Sequence, residues 1–384
     1  MVLPVVKNNV PWFVHGGAVH FRLSGELTSF EDPDGRVAAL LRLLDGTRSV
    51  DEVGQALARE YADVTAGEVE EALAELDAER LIQDATDTGA DFTARELERW
   101  DRNLGFLETY ATLGRSKFEF QRRIKDTRLV LFGIGGIGSH TLLDAVAIGF
   151  TDVRIVDFDT ITLSNLNRQI IYDETVLGQG KVDVAARRAR ALNSDARIDP
   201  IAARITSADD VYELTRDRDV ALVAVDRPRM QVLHWVNEGC LRSGASFLVG
   251  GVDGDRTFQY TVIPGVSGCL ECWYSTVRET DPTSSMVLDH LEGMAEAGHT
   301  FSEDRSAFDG AILPVLSTMI GDLVRMVTGI AAPYGLGRLI QTSFHEPQPV
   351  LRETWERRPD CPSCAGVTAR LPVRWQAHRP EMAV

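Results

Sequence analysis

Basic charge is scarce in this chain: 40 Lys and Arg stand against 57 Asp and Glu, a net charge of -17 at pH 7 and a pI of about 4.9. A surface of that sign repels phosphate backbones, so no nucleic-acid partner is expected. Long apolar runs are missing too. None approaches the ~20 residues that span a bilayer. The opening MVLPVVKNNVPWF is too short and too interrupted by polar residues and proline for a secretory signal. The expectation is a cytoplasmic protein with no membrane partner. Cysteine is sparse, five in 384 residues, and four of the five lie in two Cys-x-x-Cys pairs. In a reducing compartment that pattern argues for metal over disulfides. The length suffices for two or three domains with a sizeable core.

What is present is organised around Arg128 to Lys181. The apolar run Leu129-Val130-Leu131-Phe132 reads as a buried parallel strand. Gly133-Ile134-Gly135-Gly136-Ile137-Gly138 follows, then an apolar helical pattern through Leu142, Leu143, Val146 and Ala147. Strand, glycine turn and helix in that order suit a phosphate: glycines admit the ligand to the backbone, and the helix's first N–H groups face it. A second strand, Val153 to Val156, ends at Asp157, placed to hydrogen-bond a ribose. Dinucleotide dehydrogenases share this much, so it indicates a nucleotide and no more.

Further on, Val220 to Val225 reads as another buried strand, ending at Asp226. A carboxylate there sits in the ligand crevice of a doubly wound sheet, where Mg²⁺ on a triphosphate takes one or two protein carboxylates; a helix cap is the alternative role. The pairs Cys269/Cys272 and Cys361/Cys364 suit a closed, structural tetrahedral Zn²⁺ site, with a redox pair as the alternative. Cys240, in apolar company, reads as a buried structural thiol. Arg278 to Asp309 is polar and weakly periodic and reads as a mobile crossover loop; His290 and His299 within it are given no role. Ala311 to Gly329 reads as a long apolar helix packing on the sheet or on a dimer partner.

The first ninety residues read as a hairpin around Gly16-Gly17 and three helices: one capped by Asp34, one with a capping box of Ser49 and Glu52, one with a box of Thr65 and Glu68. Leu81-Ile82 looks like a short closing strand. This is the pattern of a small winged helix-turn-helix, a fold that often binds DNA. Here the stretch carries 17 Asp and Glu against 7 Lys and Arg, and its third helix is strongly acidic, so DNA is a poor ligand.

Two resemblances sharpen the reading. Asp157-Phe158-Asp159, Ser164-Asn165-Leu166-Asn167-Arg168-Gln169 and Gly178-Gln179-Gly180-Lys181 resemble the ThiF/MoeB/HesA family, bacterial relatives of ubiquitin-activating enzymes that adenylate carboxylates with ATP. The resemblance implies ATP contacts from Gly133, Gly135, Gly136, Gly138, Asp157, Asp159, Asn165 and Gln169. It implies that Arg168 and Lys181 neutralise the β- and γ-phosphates, against the alternative of ordinary surface cations. It implies Mg²⁺ on Asp226, which opens the family-like run Asp226-Arg227-Pro228…Trp235-Val236-Asn237. Family members carry Arg-aromatic-x-Arg before the catalytic domain, the second Arg reaching the other subunit's ATP. Arg99-Trp100-Asp101-Arg102 matches and places Arg102 in that role, in a homodimer. Members that pass the acyl group to a thiol need a crossover Cys. Trp273 to Leu313 has none, which implies that the acyl-adenylate itself reacts.

The phrase LLRLLDGTRSVDEVGQALARE resembles the PqqD-like RiPP recognition element, the leader-binding module of ribosomal-peptide maturation. Such a module holds an extended peptide as an added strand beside its third helix; a scaffolding or dimerisation domain is the alternative. The expected architecture is a Rossmann-like doubly wound sheet of ThiF/MoeB type with a small N-terminal winged helix-turn-helix α+β domain. Its parts are a leader-recognition domain over 1–84, a linker with the arginine finger over 85–105, an adenylyltransferase domain with structural zinc over 106–370, and a tail over 371–384. The expected function is ATP-dependent adenylation of a carboxylate on a ribosomal precursor peptide, followed by attack of a nitrogen nucleophile. Activation of a ubiquitin-like sulfur carrier is the runner-up, a catalytically silent leader-presenting partner comes next, and hydride transfer with NAD is last.

Overall fold

The structure is a computed structural model, and it describes residues 1–23, 25–225, 227–228, 230–296, 309–345, 348–368 and 370. The chain divides into two compact units, Met1–Arg123 and Ile124–Val384.

The first unit contains β1 (Pro4–Val6), β2 (Trp12–His15), β3 (Ala18–Leu23), β4 (Glu26–Glu31), α1 (Arg36–Leu43), α2 (Val50–Glu60), α3 (Ala66–Ala78), β5 (Ile82–Asp84), α4 (Ala94–Arg99) and α5 (Asp101–Glu108). The division of the chain falls within α6 (Lys117–Asp126). β2, β3 and β4 form an antiparallel sheet in that order, and β1 pairs with β5. The hairpin turn falls at Gly16-Gly17, and both expected capping boxes form, Ser49 with Glu52 and Thr65 with Glu68. The apolar faces of the three helices meet Val19 and Phe21 of β3 in one core through Leu40, Leu41, Val53, Leu57, Val69, Leu73 and Leu76.

One local expectation changes, and two further features come into view. Asp34 does not cap α1; Asp32 does, accepting the backbone N–H of Val37 and Ala38 at 2.9 and 3.0 Å, while Asp34 pairs with Arg36. β4 went unread because its alternation starts and ends on glutamates. At the start of the expected linker, Arg122 donates to Asp87 at 2.7 and 2.8 Å and to Asp91 at 2.6 Å. Those hydrogen bonds hold the Asp87 carboxyl well below the usual carboxylate range.

The second unit contains β6 (Arg128–Phe132), α7 (Gly136–Ile148), β7 (Asp152–Val156), α8 (Lys181–Leu192), β8 (Arg197–Ile201), α9 (Ala208–Thr215), β9 (Val220–Val223), α10 (Gln231–Ser243), β10 (Ser246–Asp253), β11 (Arg256–Val262), α11 (Leu270–Thr280), α12 (Pro282–Glu296), α13 (Asp309–Thr328), β12 (Arg338–Ser343) and β13 (Val350–Thr354). The eight strands lie in the order β13-β12-β11-β10-β9-β6-β7-β8. Five of them, β10 to β8 in that order, run parallel, and β11 to β13 extend the sheet antiparallel. From β6 the chain steps outward through β7 and β8, then returns to lay β9 on the opposite side of β6. That reversal opens a crevice beyond the carboxyl ends of β6 and β9, where doubly wound sheets bind ligands.

The segment expected to be a loop from Arg278 is helical as far as Glu296. Asp281 caps α12 by accepting from Thr283 and Ser284 at 3.0 and 3.1 Å, Pro282 fills its first position, and Arg278 pairs with Glu292 at 2.8 Å. The weak periodicity concealed this helix because Leu288 is buried while Met286 and Val287 stay exposed. His290 lies exposed on α12; His299 lies outside the described residues.

Among the described residues α13, expected as a long apolar helix, is the one helix that by length and composition alone could cross a membrane. It packs on α7, β10 and β11. Its Asp322 is fully buried, and the carboxylate accepts from Gln259 Nε2 at 2.6 Å and from the backbone of Tyr334 and Gly335 at 2.6 and 2.8 Å. Burial pushes this carboxyl up, against those donors. Asp322→Ala strands them in a dry core and is expected to cost about 3–5 kcal/mol, read as a lowered midpoint in chemical denaturation; an unchanged midpoint would show that the carboxylate holds nothing together.

Candidate functional site

The glycine turn is dictated by contact. Gly133 has φ +87°, and a Cβ there would lie 2.7 Å from the Ala224 carbonyl oxygen beside β9. At Gly138 a Cβ would fall 1.8 Å from the Gly133 oxygen. The turn is therefore pressed against both its own start and the neighbouring strand, which only hydrogen at Cα permits. Gly135 is different: the nearest atom to a Cβ there is Gln169 Nε2 at 3.8 Å, so this residue borders open space. Among the described residues no side chain caps α7 at Gly135, which leaves its first N–H groups facing outward for an anion.

Asp157, at the end of β7, locks the turn in place. Its carboxylate accepts from the Ile134 N–H at 2.7 Å and from the Asp159 N–H at 2.9 Å, and each oxygen keeps a lone pair for a ribose hydroxyl. Beyond it the chain doubles back through a turn built by Asn165, which accepts from Thr162 N through its side chain and from Arg168 and Gln169 N through its carbonyl. That turn lays the Arg168 stem against Gly136, with Cγ and Cδ 3.3 Å from where a Cβ would stand. Among the described residues Arg168 meets no carboxylate; its guanidinium donates only to Ser164 O and Asn167 Oδ1. Gln169 is 2 % exposed, and among the described residues its buried Oε1 has no hydrogen-bond partner. A buried acceptor left open beside an uncapped helix is costly unless a ligand meets it.

Lys181 opens α8. Its side chain is 7 % exposed, and its Nζ donates to Asp159 Oδ2 at 2.9 Å. Tyr172, which the sequence reading passed over, joins these parts. Its buried hydroxyl lies 3.1 Å from the Ile134 carbonyl and 3.3 Å from that of Lys181, sharing its proton between turn and helix. Burial pushes this phenol far up, so it stays a donor.

The structure thus brings together Gly133, Gly135, Gly136, Gly138, Asp157, Asp159, Asn165, Arg168, Gln169 and Lys181. Asp226, expected to hold Mg²⁺, lies outside the described residues, three positions past the end of β9. Arg102 belongs to the first unit; its side chain is 99 % exposed, with Asp101 at 3.6 Å.

Cys269, Cys272, Cys361 and Cys364 are buried, and their four sulfurs lie within 4.8 Å of one another. The closest separations are 3.5 Å (Cys272–Cys364), 3.7 Å (Cys269–Cys361) and 4.0 Å (Cys269–Cys272). A tetrahedron with Zn–S bonds of 2.3 Å has edges of about 3.8 Å, so the cluster fits zinc, whereas bonded sulfurs would stand near 2 Å. The Cys269 thiol and the Arg358 N–H both donate to Cys272, which holds the Cys272 thiol down. Cys240 is fully buried, and burial pushes its thiol up, as suits a structural residue.

Sheet, switch point and cation-bordered turn define a doubly wound nucleotide-binding protein whose crevice suits a triphosphate. The chain belongs to the ThiF family, whose pattern matches residues 107–363; a second match, to Coenzyme PQQ synthesis protein D (PqqD), covers residues 34–82. The sulfur carrier protein ThiS adenylyltransferase of Bacillus subtilis is 29% identical over 224 residues, 58% of this chain and 60% of that protein, so the chain spans less than two thirds of this relative. The fold resembles E. coli MccB crystallised with ATP, with a TM-score of 0.71 and 20% identity, covering 94% of this chain and 99% of that one. PaaA is similar at a TM-score of 0.66 and 19% identity, covering 91% and 100%.

Metal analysis is expected to find one zinc per chain, with the four clustered thiols unreactive until a chelator is added. A metal-free preparation of undiminished stability would refute the zinc assignment. Gly138→Ala drives a methyl into the Gly133 carbonyl and is expected to abolish ATP binding in calorimetry; retained affinity would show that the turn is not the nucleotide cradle.

Proposed function

We propose that this protein adenylates a carboxylate of a ribosomally made precursor peptide, whose leader is held by the first unit. The observation that carries the reading is the union of two modules in one chain: a PqqD match over 34–82 joined to a ThiF match over 107–363. The MccB likeness extends over both, and MccB has been crystallised with AMPCPP and MccA and, described as the Microcin C7 biosynthetic enzyme, with N-formylated MccA. The domain boundaries we adopt are 1–84 for leader recognition, 85–105 for the segment bearing Arg102, 106–370 for the catalytic domain and 371–384 for the tail.

In the first unit, β2 and β4 are edge strands of the three-stranded sheet, and Phe13, Val14 and Leu27 stand exposed on them. An extended peptide adds to such an edge through main-chain hydrogen bonds, with side chains entering the groove beside α3. In the second unit the triphosphate lies over the glycine turn, its ribose on Asp157. A carboxylate oxygen of the peptide attacks the α-phosphorus, the bond to the bridging oxygen breaks, and pyrophosphate leaves. Arg168 and Lys181 receive the charge that develops on the departing group; Asp159 holds Lys181 in reserve until the phosphates arrive. Asp226 would hold Mg²⁺, which when bound neutralises triphosphate oxygens. Exposed Arg102 is free to reach the phosphates of a partner subunit, which makes the working form a homodimer. A nitrogen nucleophile then attacks the acyl-adenylate carbonyl, and AMP departs with the electron pair of the cleaved C–O bond. We place the reaction in the cytoplasm.

The test is exchange of labelled pyrophosphate into ATP, with and without peptides encoded beside the gene. Peptide-dependent exchange is expected, lost with Asp226→Ala and reduced by about 10²–10³ in Lys181→Ala. Exchange only with a carrier protein ending in Gly-Gly would favour the activity named for the ThiS relative instead; tight peptide binding without exchange would mark a leader-presenting protein.

A further inference from the structure

Arginine supplies nearly all the positive charge of this chain: lysine occurs at only four positions, 7, 117, 125 and 181. Arginine does not give up its proton inside a protein, whereas lysine can, so a buried lysine here is a cation that can be switched off. Lys7, just past β1, is 2 % exposed. Its Nζ donates to the Thr109 carbonyl at 3.3 Å, and among the described residues no carboxylate stands within ion-pairing distance of it. An ammonium has three hydrogens to satisfy and a large hydration shell to lose. One neutral oxygen does not compensate for that, although it suffices for an uncharged amine. The charged groups facing Lys7 are Asp77 on α3, Glu108 on α5 and Arg80 just past α3. Asp77 is turned to the Leu113 N–H at 2.6 Å, and Glu108 to Gln83 at 2.6 Å and Lys117 at 3.1 Å. Burial outweighs the pull of the two carboxylates and, with Arg80 adding to it, brings the Lys7 amine down to about 7.

The place Lys7 holds is a joint. Thr109 follows the last residue of α5, and Asn9 Nδ2 also reaches it, donating to its Oγ1 at 3.3 Å. Tyr110, under the Arg80 guanidinium, and Leu113, bonded to Asp77, continue the same docked stretch. On the first turn of α5 stands Arg102. The connection from β1 to β2 thus grips the tail of the helix whose head carries the arginine finger.

We propose that Lys7 is an uncharged strut clamping the end of α5 to the leader-recognition module, and that taking up a proton releases it. The clamp rests on the adenylation reading for its purpose, since that reading is what sends Arg102 to a triphosphate. Once exposed, the amine returns to its ordinary value of 10.5. Opening therefore takes up a proton. From that value down to about 7, each unit of pH favours the open form about tenfold; below it, with both forms charged, the gain levels off.

Two measurements on the full-length protein test the clamp, and neither needs ATP or peptide. With the lysine ε-carbons ¹³C-labelled, four signals are expected, and the one lost in Lys7→Met should titrate near neutral pH. If that variant does not fold, Lys117→Gln, Lys125→Gln and Lys181→Gln assign the signal by elimination. A Lys7 that stays charged up to about pH 9 overturns the strut. Hydrogen exchange then reads the release. Free amides exchange about tenfold faster per pH unit, so an opening that grows tenfold rarer should leave residues 106–113 exchanging at a level rate from about pH 7 to 9. In Lys7→Met the same stretch should climb with pH. A climb in the wild type, or a level rate in the variant, overturns the clamp. Absence of pyrophosphate exchange would remove the adenylation reading and leave the clamp standing.

Discussion

A side chain at residue 138 has nowhere to go, and the site depends on that refusal. Because a Cβ at Gly138 would collide with the Gly133 carbonyl oxygen, the turn between β6 and α7 is drawn tight. Tightness aims the first N–H groups of α7 into the crevice instead of along the sheet. It also brings Gly136 within reach of the Arg168 stem from one direction and of Ile312 from another. A looser turn would keep the same residues and scatter them.

Around this turn the protein keeps unlike charges and unmet polar atoms in a standing arrangement. Lys181 is buried but answered by Asp159; Arg168 leans on neutral oxygens; Gln169 carries an open acceptor. Each is partly satisfied at most, and each sits on a different segment, so no single local motif produces the set. Tyr172 and Asp157 hold the segments to one another through backbone atoms, the kind of contact that survives exchange of the outward side chains. Preorganisation of this sort means that little has to move when charge builds up on a leaving group.

The parallel half of the sheet was legible chiefly through the apolar runs Leu129-Val130-Leu131-Phe132 and Val220–Val223, short and flanked by a glycine or an aspartate within a few residues. The glycine turn and the two Cys-x-x-Cys pairs were legible because their chemistry is written in spacing. Where reading failed, the decisive contact was distant or concealed. Asp32 displaced Asp34 as a cap through the path of the backbone before α1, and α12 hid behind a polar composition although Asp281-Pro282 is a helix start. The role of Tyr172 rests on contacts made across the fold, to the Ile134 and Lys181 carbonyls. Nothing local distinguishes it from any other tyrosine.

The four-thiol cluster has a consequence for the order in which the chain takes shape. Cys269 and Cys272 emerge from the ribosome long before Cys361 and Cys364, and β12 and β13 lie between the two pairs. The parallel strands can assemble during synthesis, because all of them precede the first pair. The outer strands β12 and β13 are flanked by sulfurs that can meet only after the second pair has been made. The nucleotide crevice is therefore the old part of every newly made molecule, and the sheet edge farthest from it is the last to be sealed.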